Sequence, residues 1–202
     1  MTHCFSRRSF LKGSAAAAAV LSSPLLSADA AFSETENGLF SPVSALCQTQ
    51  YGPVKGREGE NGLLCWYGIP YGAAPTGESR WTAPQEPACW HTVRDCTSPA
   101  PAAYQYTTFP LGTEDCLTLD IYSSVEAKKR PVLVYLHGST ATGSSLELPG
   151  CELVRDAGCV FVALNYRLGL FGWNCLPALT ADPDATGNFA LLDLSLIHIS
   201  EP

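Results

Sequence analysis

The chain has 202 residues, 46% hydrophobic and 15% charged, with a net charge of −7. That length is enough for one domain with a sizeable core, and the apolar share excludes a disordered chain. The acidic residues are scattered. Outside the N-terminus the one basic cluster is Lys128-Lys129-Arg130, which reads as a solvated loop and argues against the basic stripe that nucleic-acid binding needs. There is no internal repeat and no Cys/His spacing of a zinc site, so neither a metal nor a cofactor is expected.

Residues 1–30 read as an export address. Ser6-Arg7-Arg8-Ser9-Phe10-Leu11-Lys12 is followed by an apolar run, Ala15 to Leu21, then Pro24 and the small-residue site Ala28-Asp29-Ala30. This is the charged, apolar, A-x-A order of a secretory signal. The arginine pair followed by Ser-Phe-Leu-Lys resembles a bacterial twin-arginine signal. The expected partner is therefore the twin-arginine export machinery, and the expected location is periplasmic or extracellular. The apolar run is too short to span a bilayer. Cleavage after Ala30 removes Cys4 and leaves eight cysteines, at 47, 65, 89, 96, 116, 151, 159 and 175. An even count in an exported protein permits disulfides, although spacing does not give their connectivity. Cys65, Cys151 and Cys159 sit beside apolar residues and read equally well as buried thiols.

In chain order, Phe32 to Gln50 is mixed. Tyr51 to Gly56 predicts a strand and turn, and Leu63 to Tyr67 a second short strand. Gly68 to Trp81 is rich in proline and glycine and predicts a meandering loop, as does Pro84 to Ala103. Leu117 to Tyr122 alternates and predicts a strand. Val132 to Leu136 predicts a buried strand, and Glu152 to Ala157 a helix with a glycine stop at Gly158. Cys159 to Leu164 predicts another strand. Two apolar strands separated by a helix suggest a crossover and hence a parallel pairing. Gly187-Asn188 starts a last helix, Phe189 to Asp193.

Five stretches, in order, resemble the N-terminal part of a type-B carboxylesterase, the family of cholinesterases and bacterial nitrobenzyl esterases. They are GIPYGAAPTGESRW (68–81), TEDCLTLDIY (113–122), VLVYLHG (132–138), FVALNYRLGLFGW (161–173) and TGNFALLD (186–193). Five motifs in order are far more specific than one. The resemblance implies an α/β fold, the N-terminal part of an α/β-hydrolase with a mixed, mainly parallel sheet over residues 31–193. It implies hydrolysis of small carboxylic esters through an acyl-enzyme. It places an oxyanion hole at Gly138, Ser139 and Thr140, and two buried structural ion pairs, Arg80 with Glu114 and Arg167 with Asp193. His137 becomes a loop brace rather than a base. Cys116 matches a disulfide cysteine of the family whose usual partner position holds no cysteine here, which leaves Cys96 as the nearest substitute.

The sequence departs from the family in two ways. The family's loop reads His-Gly-Gly-Gly or His-Gly-Gly-Ala, whereas this chain has Ser139 and Thr140. Their N–H groups can still donate, but a β-branched residue at positive φ would be strained. A non-catalytic cholinesterase-like binding protein is therefore the rival reading. Secondly, no Gly-x-Ser-x-Gly elbow occurs in the chain, so the Ser–His–carboxylate machinery of ester hydrolysis is expected beyond it. Residues 194–202, LSLIHISEP, resemble a translated sequencing adapter. They are expected to be artefactual, and the preceding chain a fragment that is inactive by itself. Without a neighbouring strand, Val132 to Leu136 would form an open apolar edge.

Overall fold

The computed structural model describes residues 45–125, 130–148, 150–176, 178–179 and 187–198. The signal expected over 1–30 and the Lys128-Lys129 pair lie outside them. The strands are β1 (Leu46–Gln48), β2 (Pro53–Lys55), β3 (Arg57–Glu58), β4 (Leu63–Pro70), β5 (Arg94–Asp95), β6 (Gln105–Tyr106), β7 (Pro110–Leu111), β8 (Thr118–Ser124), β9 (Val132–Leu136) and β10 (Val160–Leu164). The helices are α1 (Gly150–Ala157), α2 (Gly169–Gly172) and α3 (Phe189–His198).

The central sheet has five strands in the order β3-β4-β8-β10-β9. The β9–β10 pairing is parallel, from Val132 opposite Val160 to Leu136 opposite Leu164. Helix α1 makes the crossover, as the strand–helix–strand pattern predicts. The other three pairings, β3–β4, β4–β8 and β8–β10, are antiparallel. The sheet is thus mixed, and among the described residues its parallel character begins only where a helix first separates two paired strands.

Alternation along the strands loads both faces. Leu64 and Trp66 of β4, Leu119 of β8 and Leu164 of β10 enter one cluster, where α3 contributes Ala190. Leu63, Cys65 and Tyr67 of β4, Tyr122 of β8, and Phe161 and Ala163 of β10 enter the other, with Val154 of α1. β4 runs on through Gly68 to Pro70, where its proline and glycine content had suggested a loop. A register shift between Trp66 and Ile69 reconciles the two. Gly68, at φ +65°, adds a residue to the strand and moves odd-numbered Ile69 to the face of Leu64 and Trp66, which is what a bulge does. Helix α1 ends as expected at Gly158, in the left-handed region at φ +61°, with its N–H bonded to the Val154 carbonyl at 3.0 Å.

Four expectations need correction. β9 is an edge strand, not a buried one: Val132, Leu133, Val134 and Leu136 are 41–47% exposed. The open apolar edge foreseen for this strand is present among the described residues. The Arg80–Glu114 pair forms, with Nε and Nη2 donating to the two carboxylate oxygens at 2.5 and 2.9 Å, but its side chains are 34% and 22% exposed. It is a solvent-screened pair, not a buried one. Cys96 and Cys116 lie in the same cluster but are free thiols; burial pushes Cys96 up to about 11 and Cys116 up to about 12, which holds both in the protonated form. Helix α3 does not stop at Asp193: it continues to His198, and Leu194, Leu196 and Ile197 pack on the core.

Arg167 and Asp193 are buried at 2% and 0% side-chain exposure. Truncating the arginine leaves a carboxylate buried without its cation, which costs about 3–5 kcal/mol. Arg167→Ala should therefore lower the urea midpoint severely and Arg80→Ala only mildly; equal losses in the two denaturation curves would contradict this burial difference. Val134→Lys should raise the monomer fraction in sedimentation by charging the open edge; unchanged self-association would show that the edge is not the cause.

Candidate active site

The loop that leaves β9 at His137 is fixed by groups from β6, β8 and the turn after β10. His137 is buried, with its imidazole stacked on the Tyr166 ring at 4.1 Å between centroids and 10° between planes. The Tyr166 hydroxyl donates to the His137 carbonyl oxygen. Neither ring nitrogen has a hydrogen-bond partner among the described residues. Burial lowers the imidazole below its ordinary value, with Glu147 opposing. Stacked on the Tyr166 ring and tied to it through its own carbonyl, His137 is placed to brace the loop.

Beyond His137 the loop turns on Ser139. Its hydroxyl oxygen accepts from the N–H groups of Ala141 at 3.2 Å and Thr142 at 3.1 Å, a local side-chain cap that shapes the turn. The Thr140 carbonyl accepts from Gly169 N–H at 2.8 Å, which ties the loop to the turn after β10. Among the described non-glycine residues only Asn61 has positive φ. Ser139 and Thr140 therefore carry no left-handed strain, and the objection to them at donor positions falls. A side chain at Gly138 would meet nothing within 4 Å, so that point of the loop borders open space. The backbone N–H groups of Gly138, Ser139 and Thr140 donate to no partner among the described residues.

The far end of the loop is clamped more tightly. Gln105 makes a reciprocal pair with Gly143: its Nε2 donates to the Gly143 carbonyl at 2.9 Å, and Gly143 N–H donates to its Oε1 at 3.0 Å. Gly143 itself, at φ +148°, leaves room for His137, because a Cβ there would lie 2.4 Å from Nδ1. Ser145 is buried and joins the sheet directly. Its hydroxyl donates to Asp120 Oδ2 at 2.7 Å and its N–H to Asn165 Oδ1 at 2.9 Å. The other Asp120 oxygen accepts from Gly68 N–H at 2.8 Å. Burial raises the Asp120 carboxyl above its ordinary value, while Ser145 and Gly68 pull it back. Tyr135 donates to Glu147 at 2.8 Å across the same loop.

Sequence reasoning placed Gly138, Ser139, Thr140 and His137 correctly on one loop but missed Gln105, Asp120, Ser145 and Asn165. A carboxylate in the otherwise apolar Leu119 to Tyr122 strand was the available signal, since a buried Asp needs partners. No group of three or more His, Cys, Asp or Glu able to hold a metal occurs among the described residues.

His137 yields a pH test. The unfolded imidazole titrates near its ordinary value of 6.5, and the folded one lower. Between the two values the unfolded state holds more protons, so stability is full above pH 6.5 and is lost as pH falls below it. Thermal melts from about pH 7.5 to about 5 should show this fall, and His137→Phe should flatten it; an unchanged slope in the variant would exclude a buried neutral imidazole.

Comparison with known proteins identifies the family and the fold. A family model described as the carboxylesterase family matches residues 43–197, and a twin-arginine translocation signal model matches residues 4–23. The para-nitrobenzyl esterase of Bacillus subtilis (strain 168) is 37% identical over 157 residues, covering 72% of this chain and 32% of that protein. The fumonisin B1 esterase of Sphingopyxis macrogoltabida is 35% identical, covering 72% of this chain and 29% of its own length. Among solved structures, a Geobacillus stearothermophilus carboxylesterase superposes with a TM-score of 0.68 at 34% identity, covering 75% of this chain and 32% of that one. The chain thus spans about a third of the length of the curated relatives it matches. The twin-arginine signal is an export address, and no helix among the described residues is long and apolar enough to cross a membrane. The fold is the N-terminal part of the α/β-hydrolase fold, and the chain belongs to the carboxylesterase family.

Proposed function

We propose that the chain is the N-terminal part of an exported serine carboxylesterase that hydrolyses small carboxylic esters through an acyl-enzyme. The observation that carries this reading is the loop from Gly138 to Thr140, whose backbone N–H groups donate to no partner among the described residues and lie beside open space at Gly138. Preorganised N–H donors beside a reacting carbonyl stabilise the oxyanion of acyl transfer, and each is worth about 10²–10³ in turnover. The clamps at His137, Gly143 and Ser145 supply the preorganisation.

Residues beyond these 202 would supply the serine nucleophile, the histidine base and the orienting acid. A loop alone does not activate a hydroxyl, so by itself this chain would not turn over ester. The open edge of β9 supports this reading, since a further strand paired there would cover Val132, Val134 and Leu136. The binder alternative rested on Ser139 and Thr140, and their unstrained backbone favours the enzyme.

The full-length gene product should release nitrophenol from a para-nitrophenyl ester with an initial burst, and the 202-residue chain should not. Thr140→Pro, which removes one N–H, should lower kcat by about 10²–10³ with little change in Tm, while Thr140→Gly keeps activity. Hydrolysis absent from the full-length product would leave the binding protein as the better reading.

A further inference from the structure

We propose that Cys65 and Cys151 are a redox-active pair that closes to a disulfide once the protein is exported. The inference depends on export and not on the esterase reading. The two sulfurs lie 3.5 Å apart although the residues are 86 apart in the chain, and both are free thiols. A disulfide needs about 2.05 Å between sulfurs, so closure asks for a shift of about 1.5 Å. Cys65 is held in the middle of β4, buried at 1% exposure. Cys151 is half-buried in the first turn of α1, so it is the partner that oxidants reach and the one that moves.

A nearby cation partly offsets the effect of burial at this pair. The Arg57 guanidinium lies 5.3 Å from the centre of the Tyr67 ring and bonds its hydroxyl at 3.2 Å, and its positive charge acts on both sulfurs. Burial pushes the Cys65 thiol up to about 11, and Cys151, the more exposed of the two, is the first to react. The oxidant is a small or protein disulfide of the oxidising compartment. Cys151 thiolate attacks it, forms a mixed disulfide and expels one thiolate. Cys65 then loses its proton and attacks Cys151 Sγ, expelling the second thiolate. Two protein thiols become one disulfide, and the oxidant's disulfide takes up two electrons and two protons as two thiols.

The bond would join β4 to the crossover helix and enclose β8, β9 and the loop from His137 to Ser145 between its ends. Export would then covalently fix the helix that follows the candidate oxyanion loop.

The test uses the exported chain, equilibrated with oxidised glutathione, alkylated without reductant and digested with trypsin. Cys65 falls in peptide 58–80 and Cys151 in peptide 130–155, each containing one cysteine. The expected result is one cross-linked species lighter than the summed peptides by two hydrogens. Cys151→Ser should abolish it and lower Tm to that of the reduced wild type. Recovery of both cysteines alkylated after equilibration, or either one bridged to a different cysteine, would overturn the proposal.

Discussion

Everything on the C-terminal side of the sheet depends on one buried guanidinium. Arg167 leaves the end of β10 and meets Asp193 through Nε and Nη2 at 2.6 to 3.1 Å, and its own N–H bonds the same carboxylate. Its Nη1 donates to the carbonyls of Arg80 and Thr82, both at 3.0 Å. One side chain thereby fixes helix α3, the turn after β10 and the loop that follows β4. Burial raises the Asp193 carboxyl and the guanidinium draws it back, so the pair is held as a unit. A planar fork with five donors is the group suited to so many partners at once. Arg80 extends the same construction outward: its carbonyl accepts from Arg167 while its guanidinium reaches Glu114 and lies against the Trp81 and Phe171 rings.

That frame carries the loop after β9. Gly169, two residues past Arg167, bonds the Thr140 carbonyl, and Tyr166, one residue before it, stacks on His137. The loop is thus held from the β10 turn at its start and from Gln105, Asp120 and Asn165 at its end. Between these anchors Ser139 caps its own turn, which explains how a sequence without the glycine run keeps a defined backbone there. Rigidity at both ends with unengaged N–H groups between is the arrangement that oxyanion stabilisation requires.

Much of this was legible in the chain. Alternation gave β8, an apolar run after the helix gave β10, the glycine stop gave the end of α1, and the ordered motifs gave the pairing of Arg80 with Glu114 and of Arg167 with Asp193. What escaped were properties set by distant partners. Val132 to Leu136 has a buried strand's composition, but exposure depends on which strand pairs with it. Arg80 and Glu114 look like Arg167 and Asp193 in sequence, yet only the second pair is enclosed by the sheet, α3 and the Arg80–Thr82 loop. Cys96 and Cys116 share the core cluster but are free thiols, whereas the sulfurs of Cys65 and Cys151, 86 residues apart, lie 3.5 Å from each other, which no local pattern suggests. Gly68 looked like a loop residue and proved to be a bulge that keeps β4 continuous.

The central claim is that the backbone from Gly138 to Thr140 presents its N–H groups to a developing oxyanion. It is tested most directly by the structure of the full-length gene product inhibited by a phosphonate ester. The proposed reading predicts a phosphonyl oxygen about 2.7–3.1 Å from backbone nitrogens of this loop. A phosphonyl oxygen bound elsewhere, with the loop N–H groups turned away from it, would contradict the claim.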